Sequence, residues 1–571
     1  MTHSSKLLAA AALLTATAHG TDAWAQKTRG KIEDAEIEIV KERVNELPEA
    51  TRNFEKVKIE APAKSTEPVN YSFSDFRLPA DKLNPSVRVL TIRQEELAPL
   101  TGNYLKAALG NYGTVYGRAY LHNTRSEAGS YGLDFKHLSS ANGPVDRRNS
   151  GQSQTSLGLN GETYQGPLVL GAKVDVGRER YNFYGYNGNV LRELPKADSI
   201  KQVFKRAAVK VYARNRAKDA AFQYDFGLGF NYWSDFYNAR ESNVYATLRS
   251  GYTLGETSRV SVNGDVSFIS HKDSLTVSRP FVQVTPAYEL TLDRLALSVG
   301  ATLGYTGDTI GKARQFNAYP AIRAAYTVTE DKFVAYAGLG GAIQRVTLYD
   351  LSTENPWLAP NVRVADTRRG PTLYFGFQAT PARALEVNAR VTLSNDRNLY
   401  FYNNSRRDSS KFDLVYDKKA TQLVNVHGEI IYNAAEQFRL GFKADYNGYN
   451  VKTLAKAFHR PAFQGVLFGT YNFYDKLLVG GELYTYSSSF GTGLQRREIP
   501  SVPPGPSPVI YTRTVRPTDS VIDLNLRADY RIMENLSIFA LGNNLIGRKY
   551  ERFLNYPVKG INVLAGVTYD F

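Results

Sequence analysis

From about residue 103 to its end the chain repeats one pattern: runs in which apolar and polar residues alternate strictly. Successive side chains of a strand point to opposite faces, so such a run can bury or wet only one side. Residues 521–532 show it clearly. Ile522, Leu524, Leu526, Ala528, Tyr530 and Ile532 share one face, and Asp523, Asn525, Arg527, Asp529 and Arg531 share the other. Phe438, Leu440, Phe442, Ala444 and Tyr446 alternate with Arg439, Gly441, Lys443, Asp445 and Asn447. Val260, Val262, Gly264, Val266 and Phe268 alternate with Ser261, Asn263, Asp265 and Ser267.

A soluble sandwich alternates too, so the links between runs carry the decision. Very short turns recur at 165–167, 255–256, 293, 329–330, 433–436 and 475. Between them lie longer, more polar links at 187–199, 271–279, 306–313, 350–370, 403–420 and 487–520. One short link followed by one long link is the signature of an up-and-down barrel, with tight turns at one membrane face and larger loops at the other. A propeller or Greek-key sandwich does not sort its links this way. The fold class expected is therefore all-β: a transmembrane antiparallel up-and-down β-barrel. About 21 strand runs can be counted, and a barrel with both termini on one side needs an even number. Splitting the long run 104–121 at Asn111-Tyr112-Gly113-Thr114 gives about 22.

Composition agrees where it bears on this. Tyr (38) and Phe (28) far outnumber Trp (3), Gly reaches 45, and there is no cysteine. Aromatic girdles and strand glycines suit a membrane barrel, whose closed ladder needs no disulfide. Without cysteine there is no thiolate for metal and no site for a lipoprotein acyl chain. The net charge of +15 suits an anion-attracting lumen or contact with lipid phosphates. No compact basic motif supports nucleic acid as a partner.

Residues 1–25 read as an export signal: Lys6, an apolar run at 7–18, and Ala23-Trp24-Ala25 as the cleavage pattern, with Gln26 as the first mature residue. The run is too short for a membrane-spanning helix, which needs roughly 20 apolar residues. Export with a barrel implies the outer membrane of a Gram-negative cell. Residues 26–102 are charged and lack regular alternation. They are expected to form a periplasmic, partly disordered segment, with one candidate strand at 35–40 and a linker at 58–68 carrying Pro62 and Pro68. The barrel then occupies 103–571.

The last run is the most specific. Ile561, Val563, Ala565, Val567, Tyr569 and Phe571 form one outward face. Asn562, Gly566, Thr568 and Asp570 face inward, and Leu564 departs from the pattern. A terminal aromatic on an alternating strand resembles the assembly signal of bacterial outer-membrane barrels. The preceding stretch, Phe539-Ala540-Leu541-Gly542-Asn543-Asn544-Leu545-Ile546-Gly547-Arg548-Lys549-Tyr550-Glu551 followed by Tyr556-Pro557-Val558-Lys559-Gly560, resembles the C-terminal hairpin of TonB-dependent receptors. Asn544, Leu545, Lys549 and Tyr550 fit that family's pattern; Ile546, Gly547 and Arg548 depart from it. The resemblance implies a 22-stranded barrel. It also implies a long N-terminal plug, for which residues 26–102 show no plug-like glycine pattern and no TonB-binding segment. A plugless relative is expected, or a barrel working with periplasmic or lipoprotein partners, in contact with outer-membrane lipid and lipopolysaccharide.

Three functions remain open: a transport conduit or membrane component of a larger assembly, a binding or scaffold barrel with a closed lumen, and an outer-membrane hydrolase. Enzymatic barrels need a Ser, His or Asp constellation at a rim. His122, His137, His271, His427 and His459 fall in no catalytic motif. His137-Leu138-Ser139-Ser140 brings serine near histidine in sequence only, and His427 shares a polar strand face with Asn425 and Glu429. No H-x-x-x-H pair or calcium loop is present. The chain is therefore expected to be no enzyme, with no cofactor and no catalytic, cofactor-binding or metal residues. Gly340-Gly341 and Gly480-Gly481 read as strand glycines where barrels bend or crowd. Inward Lys210, Arg214, Arg439 and Lys443 are matched by inward Asp265, Asp445, Asp523 and Asp529, so the lumen is expected to be mixed in charge. The loops 350–370, with Asn355-Pro356-Trp357-Leu358, and 487–520, with Pro500, Pro503, Pro504, Pro506, Pro508, Arg496, Arg497, Arg513 and Arg516, are the candidate binding loops.

Overall fold

The computed structural model describes residues 102–571 except 124–125, 187–192, 218, 309, 311–313, 436 and 499–508, and omits the side chains of 435, 496–498 and 509–510. The expected leader, all but the last residue of the segment 26–102, and the proline-rich tip from Pro500 to Pro508 lie outside the described residues. So do the side chains of Arg496 and Arg497.

The alternating runs pair into a single 22-stranded antiparallel sheet. It is closed because its first strand, Tyr104–Gly110, pairs on one side with Thr114–His122 and on the other with the last strand, Asn562–Asp570. Closure leaves no unpaired edge, the condition for a sheet to sit in hydrocarbon. The turn expected at Asn111-Tyr112-Gly113-Thr114 is present: Tyr112 and Gly113 take positive φ there and reverse the chain.

The outward faces are those expected. Phe268, Leu526, Tyr530, Val563, Val567, Tyr569 and Phe571 are all exposed on the outside of the barrel. An outward ring of exposed apolar side chains on a closed sheet is stable only against lipid. The fold is thus an outer-membrane-type barrel, which places the protein in that membrane.

Leu564, the residue that broke the outward-inward pattern, points inward for a packing reason. It is buried with Ala108 and Phe539, beside Tyr116 and Leu541, in a small apolar knot at the closing seam. The seam is tight: a Cβ on Gly566 would run into the Ala107 carbonyl. Gly341 likewise makes room, here for the ring of Tyr319, beside a break in register between Gly340 and Ala342.

Short turns lie at the end of the barrel that holds both ends of the sheet, and most long links lie at the other. Four of the expected links differ. The link read at 271–279 is a tight hairpin, because Ser258–Lys272 and Thr276–Leu292 stay paired to their ends. The links around 350–370, 403–420 and 487–520 contain structure of their own. They hold a short helix, Leu348–Glu354, and two hairpins, Tyr400–Asn404 with Phe412–Tyr416 and Phe490–Glu498 with Val509–Pro517.

Candidate functional site at the long-loop mouth

The largest buried apolar cluster belongs to the loops at the mouth. Phe204, Trp233, Leu348, Leu351, Tyr402, Phe412, Phe553 and Tyr556 are buried together, with Trp357, Tyr184 and Tyr400 packed against them. These residues come from strand ends and from loops far apart in sequence, so the loops pack into a cap with a core.

The cap grows from the helix Leu348–Glu354. Thr347 caps its N-terminus, its side chain accepting from the Asp350 N–H at 3.1 Å. The Glu241 carboxylate accepts the Leu348 N–H at 2.9 Å, satisfying a donor that a helix start leaves free. Ser352 faces the barrel wall and accepts from Trp233 Nε1 and Arg206 Nη2, both at 2.9 Å. Asn355-Pro356 ends the helix and delivers Trp357, whose ring stacks on Tyr556 with centroids 3.8 Å apart and planes at 25°. Trp357 Nε1 donates to the Asn182 carbonyl at 3.1 Å, so one indole joins three chain segments.

Two polar ties lock this core. Glu354, at the helix end, accepts from Tyr400 Oη at 2.7 Å and Tyr402 Oη at 3.1 Å, and pairs with Arg460 Nη1 at 2.8 Å. Its neighbour His459 bridges two loops: Nδ1 lies 2.8 Å from the Tyr402 carbonyl, and Nε2 lies 3.1 Å from the Leu554 N–H. A carbonyl can only accept and an amide N–H can only donate, so the ring must be neutral with its proton on Nδ1. Burial pushes the imidazole down to about 4, because the charged form is penalised in a dry site. Arg513 ties the hairpin Phe490–Glu498 and Val509–Pro517 to the cap through the carbonyls of Asn404 and Ser405.

Under the cap, a buried charge network fixes the ends of the 345–366 link. Asp366 is held by Arg279 Nη1 at 3.3 Å, Thr306 Oγ1 at 2.7 Å and the Val346 N–H at 3.0 Å. Arg279 also donates to the Val346 carbonyl at 2.6 Å. Buried charges are tolerated when paired in this way.

The lumen lining is mixed, and several of its charges pair, across strands or, for Arg527 with Asp529, along one. Arg214 meets Glu162 at 3.0 Å, Arg249 meets Asp265 at 2.9 Å, and Arg527 pairs with Asp529. His427 and Glu429 do come together: His427 Nδ1 lies 2.9 Å from Asp445 Oδ1, and Lys443 pairs with Glu429 at 2.7 Å. Asn425 donates to Asn447 at 3.0 Å. Asp523 is buried and accepts from both Tyr484 and Tyr550. Such interleaving stabilises the wall. His137 lies elsewhere, on the outward face in register with Phe135. Its Nε2 is 3.2 Å from Ser139 Oγ and its Nδ1 is 2.8 Å from Thr155 Oγ1.

Of the two candidate binding loops, 350–370 supplies the centre of the cap through Trp357, and 487–520 contributes through Arg513. Sequence reading missed Glu354, Tyr402, Arg460 and Tyr556 as site residues and read His459 as unplaced. The usable signal was aromatic density inside links, in Tyr400-Phe401-Tyr402 and Phe553-Leu554-Asn555-Tyr556. Solvated loops seldom carry so many rings.

No family model matches the chain, and no curated protein matches it. Solved structures do. The FrpB iron transporter from Neisseria meningitidis (F3-3 variant) aligns with a TM-score of 0.62 at 11% identity, over 83% of this chain and 82% of that one. The siderophore receptor PirA from Acinetobacter baumannii aligns with a TM-score of 0.60 at 8% identity, over 84% and 81%. The copper transporter OprC aligns with a TM-score of 0.58 at 12% identity, over 83% and 81%. At such identities the likeness is one of fold.

Proposed function

We propose that the protein is an outer-membrane transport barrel whose mouth is shut by its own loops, rather than by a separate plug, and opened by its ligand. The observation that carries this is the cap. Loops that only shield a scaffold have no need of a buried core tied by an imidazole and a buried ion pair. A packed element with a few discrete ties is the kind of unit that switches between two arrangements. The solved barrels of the same fold include proteins described as iron and copper transporters and a siderophore receptor, which supports a transport role. The ligand would first meet the rings and charges of the mouth, where loops commonly carry recognition.

Planar-bilayer recording tests this. The wild-type barrel should be mostly silent, and cap-opening variants such as Trp357→Ala should conduct. Silence in both would favour the scaffold reading, in which the lumen is closed below the cap.

One observation supports a second reading. The chain Thr155–His137–Ser139 has the nucleophile-to-base contact of a hydrolase, on the lipid-facing side, with a threonine in the orienting place. The transport reading expects no lipid hydrolysis. Phospholipid hydrolysis by the folded barrel that Ser139→Ala abolishes would establish the second reading instead.

A further inference from the structure

Along part of the long-loop rim the outward face of the barrel is apolar, and elsewhere it is polar, as at His137, Ser139 and Gln422. Leu109, Val115, Tyr305, Phe316, Ile522 and Ile561 stand exposed on the apolar part. One arc is basic. On the strands Leu168–Asn182, Lys201–Asn215, Arg240–Thr253 and Ser258–Lys272, the outward position one or two alternations beyond the apolar run is basic. The residues are Arg178 above Val176, Lys205 above Val209, Arg240 above Val244 and Lys272 above Phe268. All four are exposed.

Register makes the arrangement specific. Arg178 is paired directly with Lys205, and Arg240 directly with Lys272, with Ser234 between the two pairs. None of the four has an ion pair or hydrogen bond among the described residues. Like charges directly opposite across an antiparallel pair repel, so folding alone does not favour this placement. An anion seated between the members of each pair would turn both repulsions into attractions, and phosphate, with several acceptor oxygens, is the group that Arg and Lys hold best. The pairs are centred three strand spacings apart, about 14 Å, comparable to the length of a two-sugar headgroup with a phosphate at each end.

We propose that this arc binds the phosphates of an outer-leaflet glycolipid of the lipopolysaccharide type, with the acyl chains lying on the apolar band below. Charge complementarity and continuity with the lipid-facing surface both point to that occupant. Such a lipid sits in one leaflet only, so the site also fixes sidedness: the long-loop mouth faces the cell exterior. The inference rests on the outer-membrane reading and is independent of what the barrel transports.

The test uses the folded barrel in detergent, with bis-phosphorylated lipid A, the same lipid dephosphorylated, phosphatidylglycerol and inorganic phosphate as probes. Bound lipid is counted by native mass spectrometry, and affinity is read from the thermal shift. Wild type should bind phosphorylated lipid A at least about tenfold more tightly than the dephosphorylated form. Arg178→Gln with Lys205→Gln, or Arg240→Gln with Lys272→Gln, should remove much of that preference, and the four together all of it. Without lipid, the fourfold variant should be no less stable than wild type, because it loses two repulsive pairs; this separates lost binding from lost folding. Unchanged lipid A binding by the fourfold variant would overturn the proposal. So would equal stabilisation of wild type by phosphatidylglycerol or inorganic phosphate, which would mean generic attraction of anions. A protein absent from the outer-membrane fraction would sink the membrane reading itself.

Discussion

Acid should open the cap, and His459 sets how far. Its neutral ring accepts the Leu554 N–H on Nε2; a second proton there would put two donors face to face. In the closed cap the imidazole is pushed down to about 4 from an ordinary 6.5. In an opened cap it returns to the ordinary value. The folded value is the depressed one, so the stability that His459 contributes is fully present above about pH 6.5. Stability then falls as the pH drops from 6.5 towards 4, because the open form binds the extra proton in that window. The difference of about 2.5 units corresponds to roughly 3 kcal/mol, or about a 300-fold change in the opening equilibrium. The barrel itself should be untouched, since its ladder does not depend on this residue. Hydrogen exchange read by mass spectrometry, corrected for the intrinsic pH dependence of exchange, should show the peptides around Leu554 and Tyr402 losing protection between pH 6.5 and 4 while the strands keep theirs. His459→Gln should be more open at neutral pH and should lose most of that pH dependence. This control separates His459 from the cap's other titrating groups, among them Glu241, Asp408 and Glu551. Cap protection that is flat with pH in wild type, or equally steep in His459→Gln, would refute the reasoning.

Other outcomes follow from the same structure. Trp357→Ala removes an indole stacked on Tyr556 and should cost about 3–5 kcal/mol of cap stability, seen as lost protection at Asn182 and Tyr556 with the barrel still folded. Glu354→Ala leaves Arg460 buried without its partner and should destabilise the cap by about 3–5 kcal/mol. Glu354→Ala with Arg460→Met should recover part of that loss in the same exchange measurement. Val567→Arg places a charge on the lipid-facing side of the last strand and should cost up to about 2–4 kcal/mol in a denaturant titration in lipid vesicles. Thr568→Ser, one position away and facing inward, should be nearly silent.

The barrel was legible because its evidence is local. Alternation in 521–532 is a property of neighbouring residues, and so is the outward face ending at Phe571. Even the turn at Asn111-Tyr112-Gly113-Thr114 could be placed, by parity and by a glycine suited to positive φ. The link at 271–279 was misread because its residues are polar, and polarity was taken for loop. Near the rim both faces carry polar side chains, the outward ones wet and inward ones such as Arg279 buried and paired under the cap, so the backbone pairs while the sequence loses the alternation that marks strands within the bilayer. The cap was illegible for a different reason. Glu354, Tyr402, His459 and Tyr556 are separated along the chain by many strands, and no spacing within any one link brings them together. Only closure of the barrel does that. Trp357 lies in a loop long enough to read as a candidate for binding, but what it stacks on could not be read from its own neighbourhood.

The ties also bound what a ligand must do. A ligand opens a gate only to the extent that it binds the open form better than the closed one. If closure is worth a few kcal/mol, as the His459 and Glu354 contacts suggest, a ligand must prefer the open mouth by about 10²–10³-fold to populate it. That preference draws little from lumen-wall charges that already pair with one another, such as Arg214–Glu162 and Arg249–Asp265. It has to come from groups that opening frees: the faces of Trp357 and Tyr556, the carboxylate of Glu354, the guanidinium of Arg460 and the imidazole of His459. Those groups are the closed cap's own cement, so ligand binding and cap closure compete for the same contacts. A variant that weakens the cap should therefore bind ligand more tightly when the lost contact served closure alone, and less tightly when the same group also touches ligand. His459→Gln and Trp357→Ala, compared in one binding titration, would sort the cap residues into those two kinds.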